Sequence, residues 1–338
     1  MIGIGVIGYG YWGPNLVRNF AEAKDARVVA VCDRRPQRLA LAQSRYPAIR
    51  TYTDEKELLA APDIDAVAIA TPVHTHFDVA MAALQAGKHV LVEKPMAVSA
   101  EQAQRMIDEA EKRKLQLMVD HTFIYTPAVR KIKQIITDGE LGDIYYYDST
   151  RVNLGLFQHD VNVVWDLAVH DLSILDFLLA DKPVAVSATG MSHVPGEPEN
   201  VAYITLFFAT NVVAHINVNW LSPVKVRQTM IGGSWRMLVY DDIEPSEKVR
   251  IYDRGINLKP SQEDVYRLLV SYRSGDMRAP HLETTEALRM EADEFVRCVR
   301  DNHKPFNDGH AGLRVVRILE AAAESMKLRG AAVQIAGV

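Results

Sequence analysis

Over the first 120 residues, short apolar runs alternate with stretches of helical spacing. The runs cover 2–7, 27–32, 66–70, 89–92 and 116–119, with a weaker one near Ile49. They are too continuously apolar for a sheet with one wet face, so they predict parallel strands covered on both sides. Helical spacing recurs over 14–23, 36–46, 75–85 and 99–113. Pro14 and Pro36 stand in first-turn positions, where a missing N–H costs nothing. Ser99 and Gln102 have the spacing of a capping box. After residue 120 the pattern changes to alternation over 144–152, 201–208, 212–220 and 227–231, which predicts an antiparallel or mixed sheet with one covered face. Helices are expected over 164–179, 284–300 and 310–328, whereas 241–280 is polar, rich in turn residues and receives no assignment. The expected organisation is a doubly wound α/β domain over 1–120 and an α+β domain with a mainly antiparallel sheet over 121–338.

Composition narrows the classes. A chain of 338 residues exceeds what one hydrophobic core usually serves. With 48% hydrophobic and 24% charged residues, no segment approaches the run of about 20 apolar residues that spans a bilayer, so no membrane role is expected. The start, MIGIGVIGYGYWG, has no basic leader and no small-residue cleavage site, and a secretory signal is not expected. Cys32 and Cys298 are the only cysteines, and neither has a second thiol at metal or redox spacing, which points to the reducing cytoplasm. The net charge is -5 and no basic stripe is present, so nucleic acid is not an expected partner.

Gly8-Tyr9-Gly10-Tyr11-Trp12-Gly13 follows an apolar strand and precedes Pro14 and a helical run. In that context G-x-G-x-x-G is the Rossmann fingerprint for a dinucleotide. Gly8 permits the tight turn, Gly10 lets pyrophosphate approach the backbone, Gly13 lets helix and strand pack, and the helix N-terminus receives the anion. Asp33 ends the second strand 20 positions after Gly13, where a carboxylate accepts both ribose hydroxyls, which favours NAD. Arg34 and Arg35 follow and suit a 2′-phosphate, so NADP stays open.

Two further strands end in polar groups, Thr71-Pro72-Val73-His74-Thr75-His76 and Glu93-Lys94-Pro95. Ligands of open α/β sheets bind at such carboxyl ends, so Thr71, Pro72, His74, His76, Glu93 and Lys94 are expected around the cofactor. His74 and His76 without a third ligand make a weak case for metal, and no metal site is expected.

The glycine turn, Thr-Pro-x-x-x-His (71–76), Gly-Lys-His-Val-Leu-Val-Glu-Lys-Pro (87–95) and Asp166-Leu-Ala-Val-His170 together resemble the glucose-fructose oxidoreductase, inositol dehydrogenase and MocA family over nearly the whole chain. The resemblance implies a Rossmann domain followed by a domain with a large open sheet whose face mediates homodimers or homotetramers. It also implies a catalytic set of Lys94, Asp166 and His170. The residue types agree with that chemistry. Asp166 and His170 are four apart and expected one turn apart on one helix face. Histidine suits a base at neutral pH, Asp166 orients it or stabilises the imidazolium, and Lys94 stabilises the developing alkoxide, although a lysine lowered by burial is itself a possible base. Where many similar chains carry an arginine two or three residues before Pro127, this one has Ile124. His121 and Tyr125 are therefore cofactor or substrate contacts, or else a packing cluster at a helix entry.

The run from Arg151 to Trp165 leads into the catalytic helix and mixes aromatic with hydrogen-bonding groups. Phe157 and Trp165 suit a sugar face, and Asn153, Gln158, His159 and Asp160 suit hydroxyls, with packing as the other reading of the aromatics. Arg151, Lys225 and Arg227 suit a phosphate or diphosphate. Gly-Tyr-Gly-Tyr-Trp-Gly-Pro-Asn (8–15) with Val-Val-Trp-Asp-Leu-Ala-Val-His-Asp (163–171) resembles the branch of the family that oxidises or reduces nucleotide-linked sugars at C3. The resemblance implies an NAD(P)-dependent dehydrogenase of a hexose such as UDP-N-acetylglucosamine. Oxidation of inositol or a free sugar is the alternative enzyme. A non-catalytic dinucleotide sensor is the alternative of another class, disfavoured because a binding module needs no base and no alkoxide stabiliser.

Overall fold

A computed structural model describes residues 1–155, 161–253, 255–257, 271–273 and 275–337. The chain forms two compact units, each interrupted in sequence: Met1–Thr126 with Thr285–Glu320, and Pro127–Thr284 with Ala321–Val338.

The first unit is built on six parallel strands, β1 (Ile2–Ile7), β2 (Ala26–Cys32), β3 (Arg50–Tyr52), β4 (Ala66–Ile69), β5 (His89–Glu93) and β6 (Leu117–Asp120), in the order β3-β2-β1-β4-β5-β6. This is the doubly wound Rossmann order, whose direction of winding reverses between β1 and β4. Both faces are covered, and β4 is buried at every position. The connecting helices are α1 (Gly13–Glu22), α2 (Pro36–Arg45), α3 (Glu55–Leu59), α4 (His76–Gln85) and α5 (Ala100–Arg113). Ser99 caps α5 by accepting the Gln102 amide at 3.2 Å, and Asp54 caps α3 through Lys56 N at 2.9 Å. The five-residue α3 was not expected, being too short for a periodic signal.

The second unit begins with α6 (Pro127–Thr137), to which the sequence reading gave no range, and β7 (Ile144–Leu154). A single π-helical turn, Val164–Ala168, leads into α7 (Val169–Leu178). There follow β8 (Pro183–Met191), β9 (Val201–Phe208), β10 (Val213–Asn219), β11 (Leu221–Gly233), β12 (Met237–Asp241), β13 (Val249–Tyr252), and a separate ladder of β14 (Gly255–Asn257) with β15 (Ser271–Arg273). With β16 (Met277–Arg278) and β17 (Val333–Gln334) the main sheet runs β16-β13-β12-β11-β7-β10-β9-β8-β17, and β7 and β10 are its parallel pair. Alternation sets its faces: Ala202, Ile204, Leu206 and Phe208 are buried, while Tyr203 and Phe207 are exposed.

Two helices, α8 (Ala287–Asp301) and α9 (Gly309–Lys327), lie between β16 and β17. The expected division at residue 120 places α8 with the second sheet, yet α8 belongs to the first unit. Its apolar stripe is the reason. Phe295 is fully buried edge-on against Phe20 of α1, ring centroids 6.1 Å apart, and burying such a ring contributes roughly 1.5–3 kcal/mol. The segment after α8 then covers β6, the edge strand: Val119 N donates to Asn307 O at 2.9 Å, the Asn307 side-chain amide donates to Val119 O, and Met118 bridges Asp308. Edge strands are commonly protected in this way.

Candidate functional site

In the first unit the carboxyl ends of β1, β2, β4 and β5 surround a cleft of about 610 Å³ lined by Gly8, Gly10, Tyr11, Trp12, Asp33, Arg34, Arg35, Thr71, Pro72, His74, His76, Glu93 and Lys94, among others. Its floor demands glycine. Gly8 has φ +95°, and a Cβ there lies 2.4 Å from Ala70 O. A Cβ on Gly13 lies 2.1 Å from Gly8 O, whereas one on Gly10 meets nothing nearer than Arg35 at 3.6 Å. Gly10 thus offers bare backbone to the cleft. No side chain caps the start of α1; Pro14 has no N–H and Asn15 N donates to Trp12 O at 2.8 Å, which leaves the Gly13 amide as the helix-start donor for an anion. The loop fits a dinucleotide pyrophosphate.

Asp33 is 7% exposed and fixes the loop by accepting Tyr9 N at 2.8 Å. It also accepts Arg35 Nε at 3.0 Å, Nη2 at 3.1 Å and the Arg35 amide at 2.9 Å. Burial pushes its carboxyl up, but these bonds outweigh it, and the net shift is downward. An anionic carboxylate is kept where a ribose diol needs an acceptor. Arg34 is exposed beside it.

His76 is 1% exposed, with Nδ1 2.8 Å from Pro95 O and Nε2 2.9 Å from Thr71 O. Burial pulls its imidazole down against these two carbonyls. Expected at the cofactor, His76 lines the cleft, with its ring held between the ends of β4 and β5. Thr71 Oγ1 accepts from the Thr75 hydroxyl at 2.7 Å, and His74 is exposed at the rim.

Glu93 and Asp120 stand opposite each other at the ends of β5 and β6. Asp120 accepts the Trp12 indole N–H at 2.9 Å and the Thr122 hydroxyl. Glu291 of α8 joins them, with Oε1 accepting from Asn307 Nδ2 at 3.0 Å. Glu93 Oε1 and Glu291 Oε2 are shielded from solvent and meet no donor among the described residues. Burial pushes both carboxyls well up, and the Asp120 charge and hydrogen bond raise them further. Sequence reasoning missed Asp120, Glu291 and Asn307. The signal was Glu291 inside the stripe Leu288, Glu291, Ala292, Phe295, a polar residue in a core position.

Tyr125, expected at the substrate or in packing, is 2% exposed with its hydroxyl on Asn307 Oδ1 at 2.6 Å. His121 is 3% exposed. The packing reading describes Tyr125.

In the second unit, Asp166 lies in the π-helical turn and His170 in the first turn of α7, so the pair is carried on a π-helical turn leading into the α-helix and not on one continuous α-helix. Asn162 Oδ1 accepts Val164 N at 3.1 Å and Trp165 N at 3.2 Å to start the turn. Trp220, 1% exposed, donates Nε1–H to Asp166 Oδ2 at 3.1 Å, a positioning contact without a sequence signal. Trp165 and Asn153 are half-buried. Arg151, expected at a diphosphate, is buried, with Nε 2.6 Å and Nη2 3.3 Å from the carboxylate of Asp171, which also accepts Ser149 Oγ at 2.7 Å. Its bidentate fork is committed inside the sheet. Arg227 pairs with Asp242 at 3.4 Å, and Lys225 is exposed. Phe157, Gln158, His159 and Asp160 lie outside the described residues.

Comparison with known proteins agrees with this architecture. Residues 2–121 match the Gfo/Idh/MocA oxidoreductase family with an NAD-binding Rossmann fold, and 129–238 match the Gfo/Idh/MocA C-terminal domain. UDP-N-acetylglucosamine 3-dehydrogenase of Acidithiobacillus ferrooxidans is 30% identical over 316 residues, spanning 92% of this chain and 93% of that one. A D-apiose dehydrogenase of Paraburkholderia graminis is 25% identical over 336 residues, 94% of this chain and 85% of the other. A solved structure of the Acidithiobacillus enzyme matches with TM-score 0.81 at 27% identity, over 97% of this chain and 99% of that one. Among the described residues no helix is long and apolar enough to cross a membrane. The chain belongs to the Gfo/Idh/MocA family of NAD(P)-dependent oxidoreductases and acts on a CH–OH group.

Proposed function

We propose that the chain oxidises, or forms by reduction, the C3 alcohol of a nucleotide-linked hexose of the UDP-N-acetylglucosamine type, with NAD as the preferred cofactor. The observation that carries this reading is the 30% identity to a UDP-N-acetylglucosamine 3-dehydrogenase across both units. The buried Asp33 carboxylate supports NAD, because a 2′-phosphate is repelled there.

When bound, the nicotinamide supplies the hydride acceptor. Lys94 at the end of β5 hydrogen-bonds the substrate oxygen and stabilises its alkoxide character. His170 accepts the hydroxyl proton, and Asp166, held by Trp220, stabilises the imidazolium. The exposed face of the large sheet, with Tyr203, Phe207 and Val213 outward, carries self-association into a dimer or tetramer.

The test is reduction of NAD and NADP against UDP- and dTDP-hexoses, hexose phosphates, free sugars and inositols. Turnover with a UDP-hexose and NAD is expected, abolished in Lys94→Met while NAD binding persists. Turnover with inositol or a free sugar and none with any nucleotide-sugar overturns the substrate assignment, and full activity of Lys94→Met overturns the role of the lysine.

A further inference from the structure

The end of α8 carries three side chains to which the reaction assigns no part. Glu294 and Cys298 lie one turn apart on its buried side, 6% and 0% exposed. Asn302 ends the helix at φ 51°, and this left-handed residue turns the chain back so that His303 meets both. His303 Nε2 lies 3.3 Å from Cys298 Sγ and 3.3 Å from Glu294 Oε1, and that sulfur and oxygen are 3.7 Å apart.

Tetrahedral zinc with bonds of about 2.3 Å to sulfur and about 2.0–2.1 Å to nitrogen and oxygen holds its ligands about 3.6 Å (S···N), 3.3 Å (N···O) and 3.5 Å (S···O) apart. The three observed edges agree with that triangle to about 0.3 Å. Arg297 holds the other carboxylate oxygen, Oε2, which leaves Oε1 turned toward the cysteine and histidine, the outer support that ligating carboxylates need. The His303 side chain is 39% exposed, so an ion has a path from solvent. The partners of Cys298 are an imidazole and a carboxylate, with no second thiol among them.

We propose that Glu294, Cys298 and His303 form a three-ligand site for a zinc-class divalent cation, with water as the fourth ligand. Binding the ion displaces the Cys298 thiol proton to solvent, and the sulfur ligates as thiolate. The ion ties His303 to the helix end and thereby shortens the free span to Asn307, whose side chain bonds Val119, Tyr125 and Glu291.

The experiment titrates the metal-free full chain with Co²⁺ alone, read by thiolate-to-cobalt charge transfer and tetrahedral ligand-field absorption, and then adds Zn²⁺ in competition. One Co²⁺ per chain, displaced by Zn²⁺, is expected. Cys298→Ser loses the charge-transfer band, Cys32→Ser keeps it, and His303→Asn, at a half-exposed position that leaves the fold intact, binds about a hundredfold more weakly or worse. No charge-transfer band in the native chain, an unchanged band in Cys298→Ser, or native affinity in a folded His303→Asn each overturns the site.

Discussion

Asp33 and Asp171 are both buried aspartates gripped through Nε and Nη2 of an arginine, one in each unit. They differ in where the arginine lies. Arg35 is 57% exposed along its side chain, at the lip of the dinucleotide cleft, while Arg151 is 4% exposed within the second unit. The first pair costs little to part, because water replaces the guanidinium and a ribose diol takes over as donor. The second cannot part without stranding a charge in the core. The same fork is a binding device at one address and a structural brace at the other.

Breaking the brace has the largest expected effect. Asp171→Ala leaves Arg151 buried without its carboxylate and loses about 3–5 kcal/mol of stability, read from the urea unfolding midpoint. A loss below about 1 kcal/mol erases the distinction. Asp33→Ala acts on binding instead: removing hydrogen bonds from a charged acceptor, worth about 1.5–3 kcal/mol, weakens NAD by roughly ten- to a hundredfold in calorimetric titration. Unchanged NAD affinity removes Asp33 from the ribose.

The carboxyls beside Asp120 show a third setting, buried and without an arginine. Glu291 has a folded pKa raised above its unfolded one, mainly by burial. Its contribution is therefore fully present below the unfolded pKa and lost as pH rises toward the folded one. Glu291→Gln removes that dependence, so the variant gains on the native chain by up to about 1.4 kcal/mol per pH unit across that window, measured by thermal unfolding from acid to neutral pH. Parallel pH profiles of the two proteins show that Glu291 is ionised in the folded state. The smallest effect belongs to Arg35→Ala: the arginine is itself 57% exposed, so its loss changes stability by about 0–1 kcal/mol in urea. A loss above about 2 kcal/mol makes Arg35 a brace like Arg151.

The parallel sheet was legible because strands covered on both faces are apolar throughout, and the glycine turn because Gly8 and Gly13 have steric reasons that survive in the letters. Arg151 was misread as a phosphate contact although parity held the answer: Tyr147, Ser149 and Arg151 share the covered face of β7, and its partner Asp171 adjoins His170. The π-helical turn left no trace, since one slipped hydrogen bond does not alter an apolar spacing enough to be read. Membership of α8 was equally hidden, because a helical stripe specifies that a face is buried but not which sheet it covers.

The cover on β6 also sets a timetable. Val119 obtains its partner only when Asn307 exists, and Pro127–Thr284 must leave the ribosome in between, which at about 5–20 residues per second takes on the order of ten to thirty seconds. Through that interval the nascent Rossmann sheet presents an open edge to other chains. The segment that ends its exposure to aggregation is thus made only after Pro127–Thr284 of the second unit.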